Sequence, residues 1–371
     1  MKGRVSPERT HRLSGLDGLR GTAAVCILVM HVWLFEYADA GKPDKQTVDL
    51  IIGELRLALP LFFVLSGYLL VRPWLKAAAN GTDPPNLRDY LRKRGARILP
   101  AYWLAVIGSV ALVWGADSRL MPAADHLPLF MLFLQNYDIH TVGHLNPPMW
   151  TLAVEMTFYL VLPIIGWIFV RGRTGPKGQL AICALLLAAG VAFNWWAEAS
   201  GAPRTLTTSL LSQSPYFAIG MATAVICRTR RLPGWVALAG LALVAADALW
   251  HIKTNAGLEH TVRDVPAGIG FALIIASPPK FFDLKAFRTL GKLSYGIYLW
   301  HFPVIIWMRL NGMWPEQGLV IDALIVLAPT LLIAAFMALC RASRDRVVAS
   351  QATAARRAAA RRRQGLSRVR A

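Results

Sequence analysis

Residues 16–35 read LDGLRGTAAVCILVMHVWLF. The stretch is apolar enough to cross a membrane as a helix, yet Arg20 and His31 sit inside it. Eleven residues at about 100° each leave these two side chains roughly 20° apart, and at about 1.5 Å per residue they stand roughly 16 Å apart along the axis. They therefore face one space at different depths. An ionisable group within a span is costly, so function is the first hypothesis for the pair, and a histidine satisfied by a buried neighbour is the other reading.

The rest of the chain carries the same character. It has 371 residues, 55% of them hydrophobic and only 16% charged, with a mean hydropathy of +0.44. Apolar runs recur from end to end, which predicts an all-α, polytopic membrane protein and leaves no room for a large soluble domain. The basic first fourteen residues and the run after them lack a small-residue cleavage site, so a retained first helix is expected rather than a signal peptide. Cys26, Cys183, Cys227 and Cys340 fall in or beside apolar segments without paired spacing, which argues against a disulfide framework and a zinc site.

The net charge of +19 is distributed in a way that disfavours nucleic acid. Residues 341–371 hold ten arginines and one acid among alanines, with no aromatic residue for base stacking. Such a tail suits anionic lipid. The other basic clusters flank apolar runs and mark cytoplasmic loops. Placing all of them inside predicts ten spans, near 16–36, 50–72, 97–115, 149–170, 179–197, 206–228, 232–250, 264–279, 289–310 and 318–341, with both termini cytoplasmic. The apolar piece at 126–137 is too short to cross about 30 Å of hydrocarbon, and parity requires it to stay on the outer side. Three regions result: a cytoplasmic segment 1–14, a membrane domain 15–341 and a basic tail 342–371 expected to be disordered.

Depths counted along these spans form two tiers. Arg20, Ser66 and Arg97 fall near the inner end. His31 and Glu155 each lie five or six residues from the outer end of their spans, so they are expected at one level, where the carboxylate would accept the imidazole N–H and support a general base. A structural partner for Glu155, such as an arginine, is the alternative.

Several further pieces of sequence, in order, resemble one family. Arg20 and His31 fit an arginine, ten residues, histidine signature; Phe62, Phe63, Ser66 and Gly67 fit FFxxSG; Arg97, Pro100, Tyr102 and Trp103 fit RxxPxYW; Trp150 and Glu155 fit WxLxxE; and LSYGIYLWHFPVI at 293–305 supplies Ser294, Tyr295, Tyr298 and His301. Together they resemble acyltransferase family 3, the multi-pass O-acyltransferases of sugars, glycolipids and macrolides. The pattern departs from the longer members in having no SGNH-type domain after the last span, which would leave acceptor recognition to the membrane domain.

The resemblance implies an acyl-CoA co-substrate, most simply acetyl-CoA, no permanently bound cofactor and no metal. It makes His31 the essential residue, with Glu155 beside it. Arginine binds phosphate bidentately and stays charged, so Arg20 and Arg97 are the donor-binding candidates together with Ser66. Tyr68, Tyr102, Trp150, Tyr298 and His301 are candidate lining residues. The separation of roughly 16 Å suits an extended pantetheine arm. His31 would act as general base or carry the acyl group itself. The acceptor is a hydroxyl of an envelope glycoconjugate at the plasma membrane, or of a macrolide or other small product; a transporter or flippase using the same buried residues is the reading from another class. Two weaker patterns are set aside: His260 and Asp264 as a chance HxxxD, and His126, His140 and His144 as surface residues rather than a metal cluster.

Overall fold

The computed structural model describes residues 7–39, 47–114, 120–230, 232–254 and 264–369. Thirteen α-helices follow in order: α1 Pro7–Asp39, α2 Thr47–Gly53, α3 Ala58–Asn80, α4 Leu87–Val113, α5 Leu127–Met131, α6 Trp150–Arg171, α7 Pro176–Ser200, α8 Arg204–Thr207, α9 Leu210–Thr229, α10 Trp235–Thr254, α11 Val265–Ala276, α12 Lys285–Leu310 and α13 Leu319–Val369. No strand occurs among the described residues.

Local chemistry explains several boundaries. The Asn86 side chain accepts from Asp89 N at 3.0 Å and starts α4, as a short polar N-cap does. Pro176 opens α7, where a missing N–H costs nothing, and Gly201 ends it in the left-handed region at φ 62°.

Seven helical stretches among the described residues are long and apolar enough to cross a membrane, and the chain is a multi-pass membrane protein. The three other expected spans fall on α3, α12 and α11. The last corrects the expectation of a span at 264–279. With 12 residues α11 reaches roughly 18 Å, well short of about 30 Å of hydrocarbon. Helix α13 runs from Leu319 to Val369, and alanine and arginine, which dominate its second half, are both strong helix formers.

The central packing pairs α1 with α12, α3 with α9 and α10 with α11. Gly21 shows why the first pair is so close: a Cβ there would lie 2.5 Å from the backbone nitrogen of Gly291. Only small residues permit two helix backbones to approach in this way.

The segment at residues 120–149, between α4 and α6, holds no spanning helix, as length and parity required. It contains the five-residue α5 and a series of turns. Side chains tie it into the bundle. Tyr102 donates to Phe130 O at 2.7 Å, Trp103 Nε1 to Met131 O at 3.0 Å, and buried Asn146 reaches Leu299 O on α12 at 3.1 Å. A loop entering a bundle must satisfy its backbone polar groups, and these bonds do so.

Candidate active site

A cavity opens between α1, α3, α4, α6, α12 and the α13 residue Arg341. It holds about 200 Å³ and is lined by Arg20, Ser66, Arg97, Glu155, Tyr159 and Tyr298 among others. Arg94, Lys292 and Arg341 also line it, so five cationic side chains share one space. Glu155 is the one carboxylate among the described lining residues. Arg20 lies within electrostatic range of both Arg97 and Glu155. A space with this charge balance attracts a compact polyanion, and guanidinium groups suit phosphate in particular.

Glu155 is held from two elements. Ser66 Oγ donates to its Oε1 at 2.6 Å from α3, and Tyr159 OH donates to the same oxygen at 2.5 Å from one turn along α6. Beside Ser66, a Cβ on Gly67 would meet Phe217 O at 2.3 Å. The serine–glycine step thus serves both roles weighed from sequence: the glycine lets α9 approach, and the hydroxyl turns to the cavity.

His31 is elsewhere. It faces His301, with ring centroids 5.0 Å apart, and the edge of its ring system meets Phe302 at 5.6 Å. His301 Nε2 lies 3.2 Å from His31 Nδ1. Each Nδ1 also contacts the carbonyl four residues back in its own helix: His31 to Ile27 O at 2.8 Å, and His301 to Ile297 O at 3.0 Å. His301 is fully buried and His31 partly so. Tyr298 links the two places. It lines the cavity and stands 5.8 Å from the His301 ring.

The expected couple of His31 with Glu155 is therefore not what the structure brings together. Depth counting assumed that the span near 149–170 starts at the outer surface. In the structure its first turn is already inside the bundle, because Thr151 Oγ1 pairs with Tyr298 OH at 2.6 Å and Tyr298 itself donates to Pro148 O at 2.8 Å. Tyr298 is one turn from His301 in α12, so Glu155, one turn further along α6 than Thr151, falls at the level of Ser66.

Of the other lining candidates, Tyr298 borders the cavity and His301 borders His31. Tyr102 is buried and stacks on Phe133 at 3.8 Å, bracing the segment that carries α5. Tyr68 is buried under Arg72, whose guanidinium lies 5.5 Å from the ring centroid. Trp150 packs edge-on to Phe63 at 6.2 Å. Sequence reasoning missed Arg94, Lys292 and Arg341 as cavity residues by treating them as loop charges. Spacing carried a signal for two of them: Arg94 lies three residues before Arg97, and Lys292 three before Tyr295, each pair on one helix face.

A second polar cluster lies apart from this cavity. Arg56 Nη1 contacts both oxygens of Asp264, at 2.9 and 2.7 Å. Its Nη2 meets Glu54 at 3.2 Å and His251 Nδ1 at 3.0 Å. Asp247, His251 and Asp264 place ligand-type atoms within 4.8 Å of one another, but the guanidinium already occupies the Asp264 carboxylate. Of the chance pair set aside above, Asp264 is thus a buried ion-pair residue, and His260 lies outside the described residues.

The model of a family described as "Acyltransferase domain" matches residues 13–339. The chain is 27% identical over 332 residues to YrhL of Bacillus subtilis, covering 80% of this chain and 49% of that one. It is 28% identical over 329 residues to the acyltransferase MdmB of Streptomyces mycarofaciens, covering 81% and 80%. It is 25% identical over 339 residues to the peptidoglycan O-acetyltransferase OatA of Listeria monocytogenes, covering 80% and 51%. The chain thus spans about half the length of YrhL and OatA. No solved structure matches it.

Proposed function

The chain belongs to the acyltransferase family whose model covers residues 13–339, and from that premise we propose that it is a membrane O-acyltransferase using an acyl-CoA donor, most simply acetyl-CoA. The observation that carries the donor assignment is the cavity itself, with Arg20, Arg94, Arg97, Lys292 and Arg341 facing one carboxylate. The diphosphate and 3′-phosphate of coenzyme A supply the matching negative charge. With the phosphates at the Arg20 end, an extended pantetheine arm passes Ser66 and Tyr298 and brings its thioester toward His31, roughly 16 Å along α1.

In this reading His31 is the general base. Its Nε2 takes the proton of an acceptor hydroxyl as the oxygen attacks the thioester carbonyl. The tetrahedral intermediate then collapses, the C–S bond breaks, and the imidazolium returns the proton to the departing thiolate. Glu155 acts on the donor side, holding the Ser66 and Tyr159 hydroxyls and balancing part of the cationic charge.

The acceptor we favour is a sugar hydroxyl of an envelope glycoconjugate at the plasma membrane, supported by the name of OatA. The second reading is a hydroxyl of a macrolide or other small natural product, and the acyltransferase MdmB is matched over 80% of its own length rather than about half. The test supplies radiolabelled acetyl-CoA to purified protein in nanodiscs, with N-acetylglucosamine–N-acetylmuramic acid oligosaccharides in one arm and a macrolide in the other. Label is expected on the oligosaccharide, dependent on His31. Label on the macrolide alone replaces the first acceptor by the second. Full transfer by His31→Ala removes the general-base mechanism, and vesicles that move sugar without consuming donor point to transport instead.

A further inference from the structure

His31 and His301 come from helices 270 residues apart in sequence, and their contacts fix where the protons are. A carbonyl oxygen only accepts, so Nδ1 of His31 must donate to Ile27 O and Nδ1 of His301 must donate to Ile297 O. A neutral imidazole carries one N–H, which leaves Nε2 of each ring with a lone pair. His301 Nε2 is therefore an acceptor, and the hydrogen it faces at 3.2 Å is the one on His31 Nδ1. That hydrogen is shared between Ile27 O and His301, and one placement of protons satisfies all three contacts.

Building on the general-base reading above, we propose that His301 is a positioning residue that holds His31 in the tautomer whose Nε2 carries the lone pair. A bond to the Ile27 carbonyl alone leaves the His31 ring free to swing about its own side-chain torsions. The second acceptor comes from another helix and fixes the ring plane as well as the tautomer. His301 is fully buried, and its own ring is anchored by Ile297 O. The close approach of Gly21 to Gly291 brings α1 and α12 together.

The chemical consequence is a base supported by a neutral partner. In the serine hydrolase arrangement a carboxylate accepts the Nδ1 hydrogen and stabilises the imidazolium. Here an imidazole does so, adding no charge to a site inside the membrane domain. As Nε2 of His31 gains a proton, its Nδ1 hydrogen becomes more acidic and the bond to His301 strengthens. The partner is therefore worth more during the reaction than before it, which is the condition for a contribution to rate.

The experiment uses full-length protein in nanodiscs carrying ¹⁵N-histidine, with His301→Leu, His301→Gln and His31→Ala as variants. The ¹⁵N spectrum, assigned by the signal lost in His31→Ala, is expected to show His31 protonated at Nδ1 in the unaltered protein. A mixture of tautomers is expected in His301→Leu. Release of free coenzyme A from acetyl-CoA, with the oligosaccharide acceptor above, is expected to fall about 10- to 100-fold in kcat for His301→Leu, with the donor KM unchanged within about twofold. His301→Gln keeps an acceptor and should recover most of that loss, which a space-filling role would not give.

A His31 protonated at Nε2 in the unaltered protein overturns the proposal, and so does a His301→Leu variant with unchanged tautomer and rate. His31→Ala retaining full turnover overturns the general-base reading instead, whatever the spectrum shows. The spectrum reads the tautomer even if no acceptor turns over, and His301→Gln serves if His301→Leu does not fold.

Discussion

Glu155 is where one side chain decides between two accounts of the site. Its carboxylate receives hydrogen bonds from Ser66 and Tyr159 and shares the cavity with five cations. Glu155→Ala leaves two hydroxyls without an acceptor and the cations without a countercharge, and is expected to cost about 3–5 kcal/mol of stability. Glu155→Gln keeps a carbonyl for one hydroxyl and should cost about 1–2 kcal/mol. Thermal unfolding in nanodiscs measures both. The pH–rate profile supplies the mechanistic half: if His301 rather than Glu155 supports His31, the profile of Glu155→Gln keeps the acid limb of the unaltered protein and the donor KM rises. A displaced acid limb with unchanged KM would return Glu155 to the histidine. Arg20→Ala tests the phosphate end in the same assay, with an expected rise in donor KM of about 10-fold or more, as loss of a charge-assisted bond worth roughly 1.5–3 kcal/mol implies.

At the scale of elements, the approach of α1 to α12 is what joins the histidines. A Cβ at Gly21 meets backbone of Gly291 at 2.5 Å, and backbone cannot rotate away as a side chain can. Gly21→Ala should therefore push the helices apart, costing about 1–3 kcal/mol by overpacking and lowering acyl transfer at least about 10-fold through the lost His31–His301 contact. Gly175→Ala is the control, since nothing lies within 4 Å of a Cβ there and its φ of −69° suits alanine. Equal losses in both variants would argue against helix separation as the cause. Arg56 makes a second element-level contact, tying the turn before α3 to the α10–α11 boundary. Arg56→Met strands Asp264 and Glu54 and should destabilise by about 3–5 kcal/mol, visible as a lower unfolding midpoint without a change in donor KM.

The same contacts explain what could be read from the sequence. Arg20, Ser66, Arg97 and Glu155 were legible because each is costly within an apolar run and the runs have simple periodicity. The partner of His31 was not, since pairing α1 with α12 depends on glycine contacts between distant segments. The depth of Glu155 was misjudged for a related reason: hydropathy locates the start of α6 but cannot say that Asn146 and Thr151 are already inside the bundle. Arg56 escaped notice because its partners lie near 251 and 264, about two hundred residues away.

For the whole molecule, the cavity and the tail give a prediction about sidedness. Arg341 lines the cavity and is also where the basic part of α13 begins, while Arg344 donates to Ala96 O next to Arg97. The arginine-rich tail therefore leaves the protein at the cavity mouth, whichever way the protein sits in a bilayer. Positive charge retained on the cytoplasmic side puts that mouth where acyl-CoA is made. Coenzyme A is too polar to cross lipid, so reconstituted vesicles of mixed orientation separate the two faces. External trypsin cuts the tail only in molecules whose mouth faces outward. Acetyl-CoA added outside should be consumed in proportion to that fraction, and vesicles sorted for an inaccessible tail should show at least about 10-fold less turnover until acetyl-CoA is loaded inside. Turnover of external donor by molecules with a protected tail would place the donor entrance at the histidine end, and the division of labour along α1 would have to be reversed.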